Sequence, residues 1–138
     1  MSMTLVGIER NSSVPIRGSE GAAAYDFEAN EEKMLPPGSV ALIDLNLKLA
    51  IPDGVYLQLH SRSGLALQGV VTVGGVIDSD YRGPIRAILH NFGFNPVLIK
   101  KGQRITSGVF LHTLKVHFQP ENILPSTVRG TSGFGSSG

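Results

Sequence analysis

The sequence predicts an all-β domain, a sandwich or barrel-like distorted jelly roll. Three observations support this: apolar residues recur with period two, turn signals divide the chain into short runs, and no window holds a capped amphipathic helix of ordinary length. In "DLNLKLAI" Leu45, Leu47 and Leu49 alternate with Asp44, Asn46 and Lys48, and in "GVYLQLH" Val55, Leu57 and Leu59 alternate with Tyr56, Gln58 and His60. Both read as half-buried strands, because successive side chains of a strand point to opposite faces. "RAILHN", "VLIKK" and "LKVHF" are shorter runs of the same kind. The separators are "PPG" at 36, "PDG" at 52, "NFGFNP" at 91, "KKG" at 100 and "QPEN" at 119. "RSGLAL" holds at most a turn or two of helix.

A chain of 138 residues suits one domain with a real core. With 12 Lys+Arg against 11 Asp+Glu the formal charge is +1, so net charge advertises no nucleic-acid partner and any anion site must be local. The absence of cysteine excludes disulfides, thiolate metal sites and a thiol nucleophile. The first residues lack a basic segment leading into an apolar one, and no 18 apolar residues run together, so the expectation is a soluble intracellular protein, in cytoplasm or nucleus, without a membrane partner. The four histidines show no metal-ligand spacing.

Three stretches stand apart from the strand pattern. "GGVIDSDYRG" at 74 to 83 places two carboxylates, a phenol and a guanidinium on one tight bend between glycines. "SRSGLA" at 61 to 66 is either an ordinary turn or a small anion pocket made by Arg62, the Ser63 hydroxyl and nearby amides. The last ten residues, "RGTSGFGSSG", cannot hold a packed element, so they are either a loose end or a lid, with Arg129 for phosphate oxygens and Phe134 to stack on a base.

Taken together, these stretches resemble the trimeric, all-β deoxyuridine triphosphate nucleotidohydrolase (dUTPase) family. Five motifs appear in the family's order: "AAAYDFEA" at 22 to 29, "SRSGLA", "GGVIDSDYRG", "GQRITSG" at 102 to 108, and "RGTSGFGSSG". The resemblance implies a distorted jelly-roll or β-clip barrel over residues 1–128, a flexible C-terminal arm over 129–138, and a homotrimer whose arm crosses to a neighbouring subunit. The implied reaction is attack of water on the α-phosphorus of dUTP, giving dUMP and pyrophosphate, with Mg2+ held mainly by the three phosphates. This removes dUTP before uracil enters DNA and supplies dUMP for dTTP synthesis.

By the same resemblance Asp78 is the general base, and Tyr81 packs on the deoxyribose and excludes a 2′-hydroxyl. The backbone of Gly75, Val76 and Ile77 meets the uracil edge. Arg62, Ser63 and Gly64 form the phosphate-binding turn, and Asp26 orients magnesium-bound waters. Arg129 binds the γ-phosphate, Phe134 stacks over uracil between Gly133 and Gly135, and Ser136 and Ser137 close on the terminal phosphate. Asp80 is expected to stiffen the hairpin by pairing with Arg82 or Arg104.

The motifs also depart from the family pattern. Ser61 stands where proline is usual, Ala24 where glycine is common, and Pro84 follows "DYRG". Thr106 and Ser107 replace the usual Ala-Gln; serine is shorter than glutamine, so a phosphate contact from Ser107 is lost or passes through water. One neutral hydrogen bond of that kind is worth about 0.5–1.5 kcal/mol, which leaves a working enzyme. Two other readings remain: a dUTPase-derived regulatory protein with weak or no catalysis, which predicts a damaged base or missing lid, and a dCTP deaminase, which needs a different third motif.

Overall fold

The computed structural model describes residues 3–10 and 14–136. It is built of antiparallel strands with one short helix. The strands are β1 (Gly7–Arg10), β2 (Ile16–Arg17), β3 (Tyr25–Glu28), β4 (Lys33–Leu35), β5 (Val40–Asp44), β6 (Leu47–Ala50) and β7 (Val55–Ser61). Helix α1 (Ser63–Leu67) follows, then β8 (Val70–Val73), β9 (Val76–Ile77), β10 (Arg86–Asn91), β11 (Val97–Ile99) and β12 (Arg104–His112). A five-stranded sheet in the order β2-β3-β12-β7-β9 packs with a three-stranded sheet, β5-β10-β8, and two small ones, β1-β6 and β11-β4. The all-β jelly-roll expectation is met, and "RSGLAL" supplies the single helical turn anticipated for it.

The period-two runs bury the side they should. Leu57 and Leu59 of β7, Ala87 and Leu89 of β10, and Leu47 and Leu49 of β6 all lie in the core, together with Phe27 and Ile105. "DLNLKLAI" is nevertheless not one strand. Asn46 takes the left-handed conformation at φ 58°, and its N–H donates to Asp44 Oδ1 at 3.0 Å. Asparagine tolerates that backbone, and the Asp44 carboxylate caps the turn by accepting from it. The chain thereby changes partner, since β5 pairs with β10 and β6 pairs with β1, while Leu45 keeps its inward direction.

β12 is the central strand of the larger sheet, pairing β3 on one side and β7 on the other. Gly108 makes this packing possible: a Cβ there would lie 2.7 Å from Leu57 Cδ1 and 2.8 Å from Phe27 Cε2. Asn91 holds the turn after β10, its amide donating to Leu35 O (2.9 Å) and Asn95 O (2.8 Å) while Oδ1 accepts from Gly93 N (3.0 Å).

The expected strand "LKVHF" does not form. Among the described residues nothing beyond His112 is helix or strand. Thr113 still donates to Gly54 O at 2.8 Å, and Lys115 Nζ reaches Asp53 Oδ1 at 3.3 Å. After that the chain leaves the sheet, so the alternation of Leu114, Val116 and Phe118 finds no neighbouring strand, and these side chains stand exposed at 85%, 61% and 87%. Alternation is a necessary condition for a half-buried strand, but the partner comes from elsewhere.

Candidate functional site

The end of β7 and the helix after it place the first group of residues. Arg62 is the N-cap of α1, still extended at φ −92° and ψ 137°, and its carbonyl accepts from Ala66 N at 2.9 Å. Buried Leu65 anchors the turn. Gly69 closes it at φ +91°, where a Cβ would lie 2.8 Å from Gly93 Cα, so only glycine fits. Arg62 and Ser63 are thus held at a rim, with Ser63 and Gly64 exposed.

The Arg62 guanidinium pairs with Asp26 of β3. The same carboxylate oxygen, Oδ1, accepts from Ser107 Oγ at 2.9 Å, because Ser107 lies opposite Asp26 in the β12–β3 ladder. Ser107 is therefore spent on orienting Asp26. An open concavity of about 580 Å3 is lined by Ala24, His60, Ser61, Arg62, Ser63 and Ser107. A separate hollow of about 430 Å3, with Glu9, Glu31, Asp44, Lys48 and Arg86 in its wall, contains none of the residues to which the resemblance gives a catalytic or binding role.

The third motif is a hairpin end laid on β7. Gly74 and Gly75 both have positive φ, +69° and +98°, and a Cβ on Gly75 would lie 3.0 Å from Leu59 Cβ and 3.1 Å from Leu59 O. The glycine thus has a reason inside the chain: Leu59 N donates to Gly75 O at 2.8 Å. Among the described residues β9, with Val76 and Ile77, pairs only with β7 and forms the outer strand of its sheet. Asp78 follows, exposed, with its carbonyl accepting from Tyr81 N at 3.2 Å.

Tyr81 Oη donates to Pro84 O at 2.9 Å, and a Cβ on Gly83 would lie 2.6 Å from Tyr81 Cζ, so the ring occupies space that only glycine leaves open. Arg82 Nη1 donates to Ser79 O (2.6 Å) and Tyr81 O (3.2 Å), stapling the turn through its backbone. Asp80 pairs with neither Arg82 nor Arg104 among the described residues, contrary to the expectation. The carbonyls of the turn take the guanidinium instead.

Among the described residues the arm bonds within itself and, through Gly130 N to Thr127 Oγ1 (3.1 Å), to the residues just before it. Arg129 Nε donates to Ser132 O at 2.8 Å, and Gly133 N donates to Ser136 Oγ at 2.6 Å. Phe134, at φ 52°, and Gly135, at φ +87°, turn the chain between them, and the Phe134 ring is fully exposed. Ser137 lies outside the described residues. Contacts within one chain therefore unite Asp26, Arg62 and Ser107 beside Ser63. Among the described residues none joins Asp78 and Tyr81, or Arg129 and Phe134, to that cluster.

Two further residues matter that the strand pattern did not single out. Thr106 is completely buried, and its Oγ1 donates to His60 O at 2.8 Å while meeting Thr72 Oγ1 at 3.0 Å. Thr72 N in turn donates to Ser61 Oγ at 2.9 Å. The polar residue at 106 was visible in the sequence; its partner at 72 lies 34 residues away and left no local signal. Among the described residues no group of three or more His, Cys, Asp and Glu side chains gathers to hold a metal. No described helix is long and apolar enough to cross a membrane.

Comparison with known proteins bears on this geometry. The dUTPase family profile matches residues 10–138. The deoxyuridine 5'-triphosphate nucleotidohydrolase of Yarrowia lipolytica is 40% identical over 141 aligned positions, covering 100% of this chain and 90% of the relative. The corresponding protein of Helicobacter pylori is 38% identical, covering 100% and 97%. Among solved structures, a mutant dUTPase of Staphylococcus bacteriophage 80alpha with dUpNHpp superposes with a TM-score of 0.88 at 24% identity, covering 99% of each chain. The native EIAV dUTPase gives 0.76 at 23% identity, covering 87% of this chain and 100% of the other. The structural likeness shows the fold, and with the profile and the close relatives it establishes that the chain belongs to the dUTPase family.

Proposed function

We propose a division of labour among these residues for the reaction the chain catalyses, hydrolysis of dUTP to dUMP and pyrophosphate. Asp78 takes a proton from the attacking water. The new bond forms between the water oxygen and the α-phosphorus as the bond to the α,β-bridging oxygen breaks, and the electron pair leaves with pyrophosphate. Arg62, Ser63 and the arm's Arg129 meet the charge that builds on the leaving group. Ser136 and Ser137 close on the terminal phosphate, and Phe134 stacks on uracil with Gly133 and Gly135 giving the arm its turns.

β9 supports the base-recognition role of Gly75, Val76 and Ile77. As an outer strand its free side presents backbone N–H and C=O groups that a pyrimidine edge can pair with. Tyr81, held by Pro84 O and fitted over Gly83, is a fixed wall for the deoxyribose.

Magnesium fits this site through water. The chain offers one carboxylate here, Asp26, whose Oδ1 is already engaged by Ser107 and Arg62. That suits an ion ligated by phosphates and reached by Asp26 through bound water. When bound, magnesium offsets the charge of the triphosphate.

A homotrimer with shared sites accounts for two features at once. The three groups of site residues do not meet within one chain, and the apolar row Leu114, Val116 and Phe118 stands bare in a single copy. The substrate is an intracellular nucleotide, so the proposed location is inside the cell.

The observation that carries the reading is the Arg62–Asp26–Ser107 cluster beside Ser63: a cation and hydroxyls line one concavity, and the Asp26 carboxylate bonds to two of those lining residues, Arg62 and Ser107. The test is pyrophosphate release with magnesium and dUTP, beside UTP, dTTP and dCTP. Release selective for dUTP and abolished by Asp78→Asn supports the assignment. Unchanged turnover in Asp78→Asn refutes the base, and equal rates with UTP refute the role of Tyr81.

A further inference from the structure

The loop that presents Arg62 and Ser63 begins at Ser61 on β7 and returns at Thr72 on β8. These two strands belong to different sheets: β7 pairs with β12 and β9, and β8 pairs with β10. No ladder pairs β7 with β8 directly; the two stalks are bonded lower down, where β9 pairs with β7 and Leu59 N donates to Gly75 O at 2.8 Å. At the neck itself, between Ser61 and Thr72, what joins them among the described residues is a set of hydroxyls. Thr72 N donates to Ser61 Oγ (2.9 Å), closing the neck directly. Thr106 Oγ1 donates its only proton to His60 O (2.8 Å), so in its 3.0 Å contact with Thr72 Oγ1 it must be the acceptor. The result is a directed chain from Thr72 through Thr106 to the residue before Ser61, crossing from one sheet to the other.

From this geometry we infer that the Ser61–Thr72–Thr106 clasp is a positioning device, fixing the loop so that Arg62 and Ser63 face the phosphates. The inference rests on the dUTPase reading above. Thr106 is suited to the task because it is fully buried, so its hydrogen bonds do not compete with water. It also adjoins Ser107, which orients Asp26 on the opposite face of β12. One strand thus sets both halves of the site, with residue 106 holding the neck of the phosphate loop and residue 107 holding the carboxylate that pairs with it. The far end of the loop is fixed independently by Gly69 against Gly93, so loosening the neck tilts the Arg62 end.

The test compares two ligands in the presence of magnesium: the non-hydrolysable α,β-imido analogue of dUTP, which has the pyrophosphate portion, and dUMP, which lacks it. In Thr106→Val, which keeps the shape and removes the hydroxyl, binding of the imido analogue should weaken about fivefold, the factor expected for one net hydrogen bond. Binding of dUMP should stay within about twofold, and Thr106→Ser, which restores the hydroxyl, should return the analogue to about the wild-type affinity. Thr72→Val, at a half-buried position, is the second variant, to be used if Thr106→Val does not fold; it should shift the analogue in the same direction and leave dUMP alone. Equal weakening of both ligands, or no weakening of the analogue in a folded variant, overturns the inference. If the wild type binds neither nucleotide, the dUTPase reading fails and the inference fails with it; normal wild-type binding with unaltered variants refutes the clasp alone.

Discussion

Gly75→Ala isolates how far the hairpin proposed to bind uracil depends on its seat against β7. Two costs combine. At φ +98° an alanine is held in a region that L-residues avoid, worth about 1–2 kcal/mol. Its Cβ also arrives 3.0 Å from Leu59 Cβ and 3.1 Å from Leu59 O. Those atoms sit on or next to the backbone and cannot rotate away, so relief requires moving β9 and stretching the 2.8 Å bond from Leu59 N to Gly75 O. Overpacking of this kind costs about 1–3 kcal/mol, for a total of about 2–5 kcal/mol. Gly38→Ala is the internal control, because Gly38 has φ +78° with nothing within 4 Å of a new Cβ, and it should lose only the conformational part, about 1–2 kcal/mol. Urea unfolding followed by circular dichroism, at one protein concentration, gives both values. Calorimetric titration with the imido analogue should show weaker binding in Gly75→Ala alone. If Gly75→Ala destabilises no more than Gly38→Ala, the hairpin is not packed on Leu59 and the reasoning fails.

The other predictions use the same kind of argument. Asn91→Ala removes three hydrogen bonds from a fully buried side chain and should destabilise the fold by about 3 kcal/mol on urea unfolding, with little effect on KM if the site is intact. Truncation after Val128 removes an arm whose hydrogen bonds, among the described residues, reach no further into the chain than Thr127, so the melting temperature should move by at most about 2 °C while kcat/KM falls by about 100-fold or more. Arg62→Lys keeps the charge but loses the planar fork that serves Asp26 and phosphate together, and kcat/KM should fall by about tenfold in the pyrophosphate assay.

What the sequence determined by itself was the periodic part of the fold and the chemistry of its ends. Alternation in "GVYLQLH" and "RAILHN" marked β7 and β10 with their buried sides, because strand side chains alternate whatever the strand pairs with. The family motifs were legible because each gathers its residue types within a few positions of the chain, an aspartate and a tyrosine on one hairpin and an arginine beside a serine at one turn. Only the tertiary structure decided which of these meet. Asp26 and Ser107 are 81 residues apart, and their contact follows from β3 and β12 being neighbours. The structure also explained departures that looked like losses: Thr106 is satisfied by His60 O and Thr72, Ser61 by Thr72 N, and Ser107 by Asp26. "LKVHF" shows the converse, a strand-like pattern left without a partner in a single chain. The physical reason is common to all of these: period and residue type are properties of a local segment, whereas hydrogen-bond partnership depends on strand order in three dimensions, which no local segment encodes.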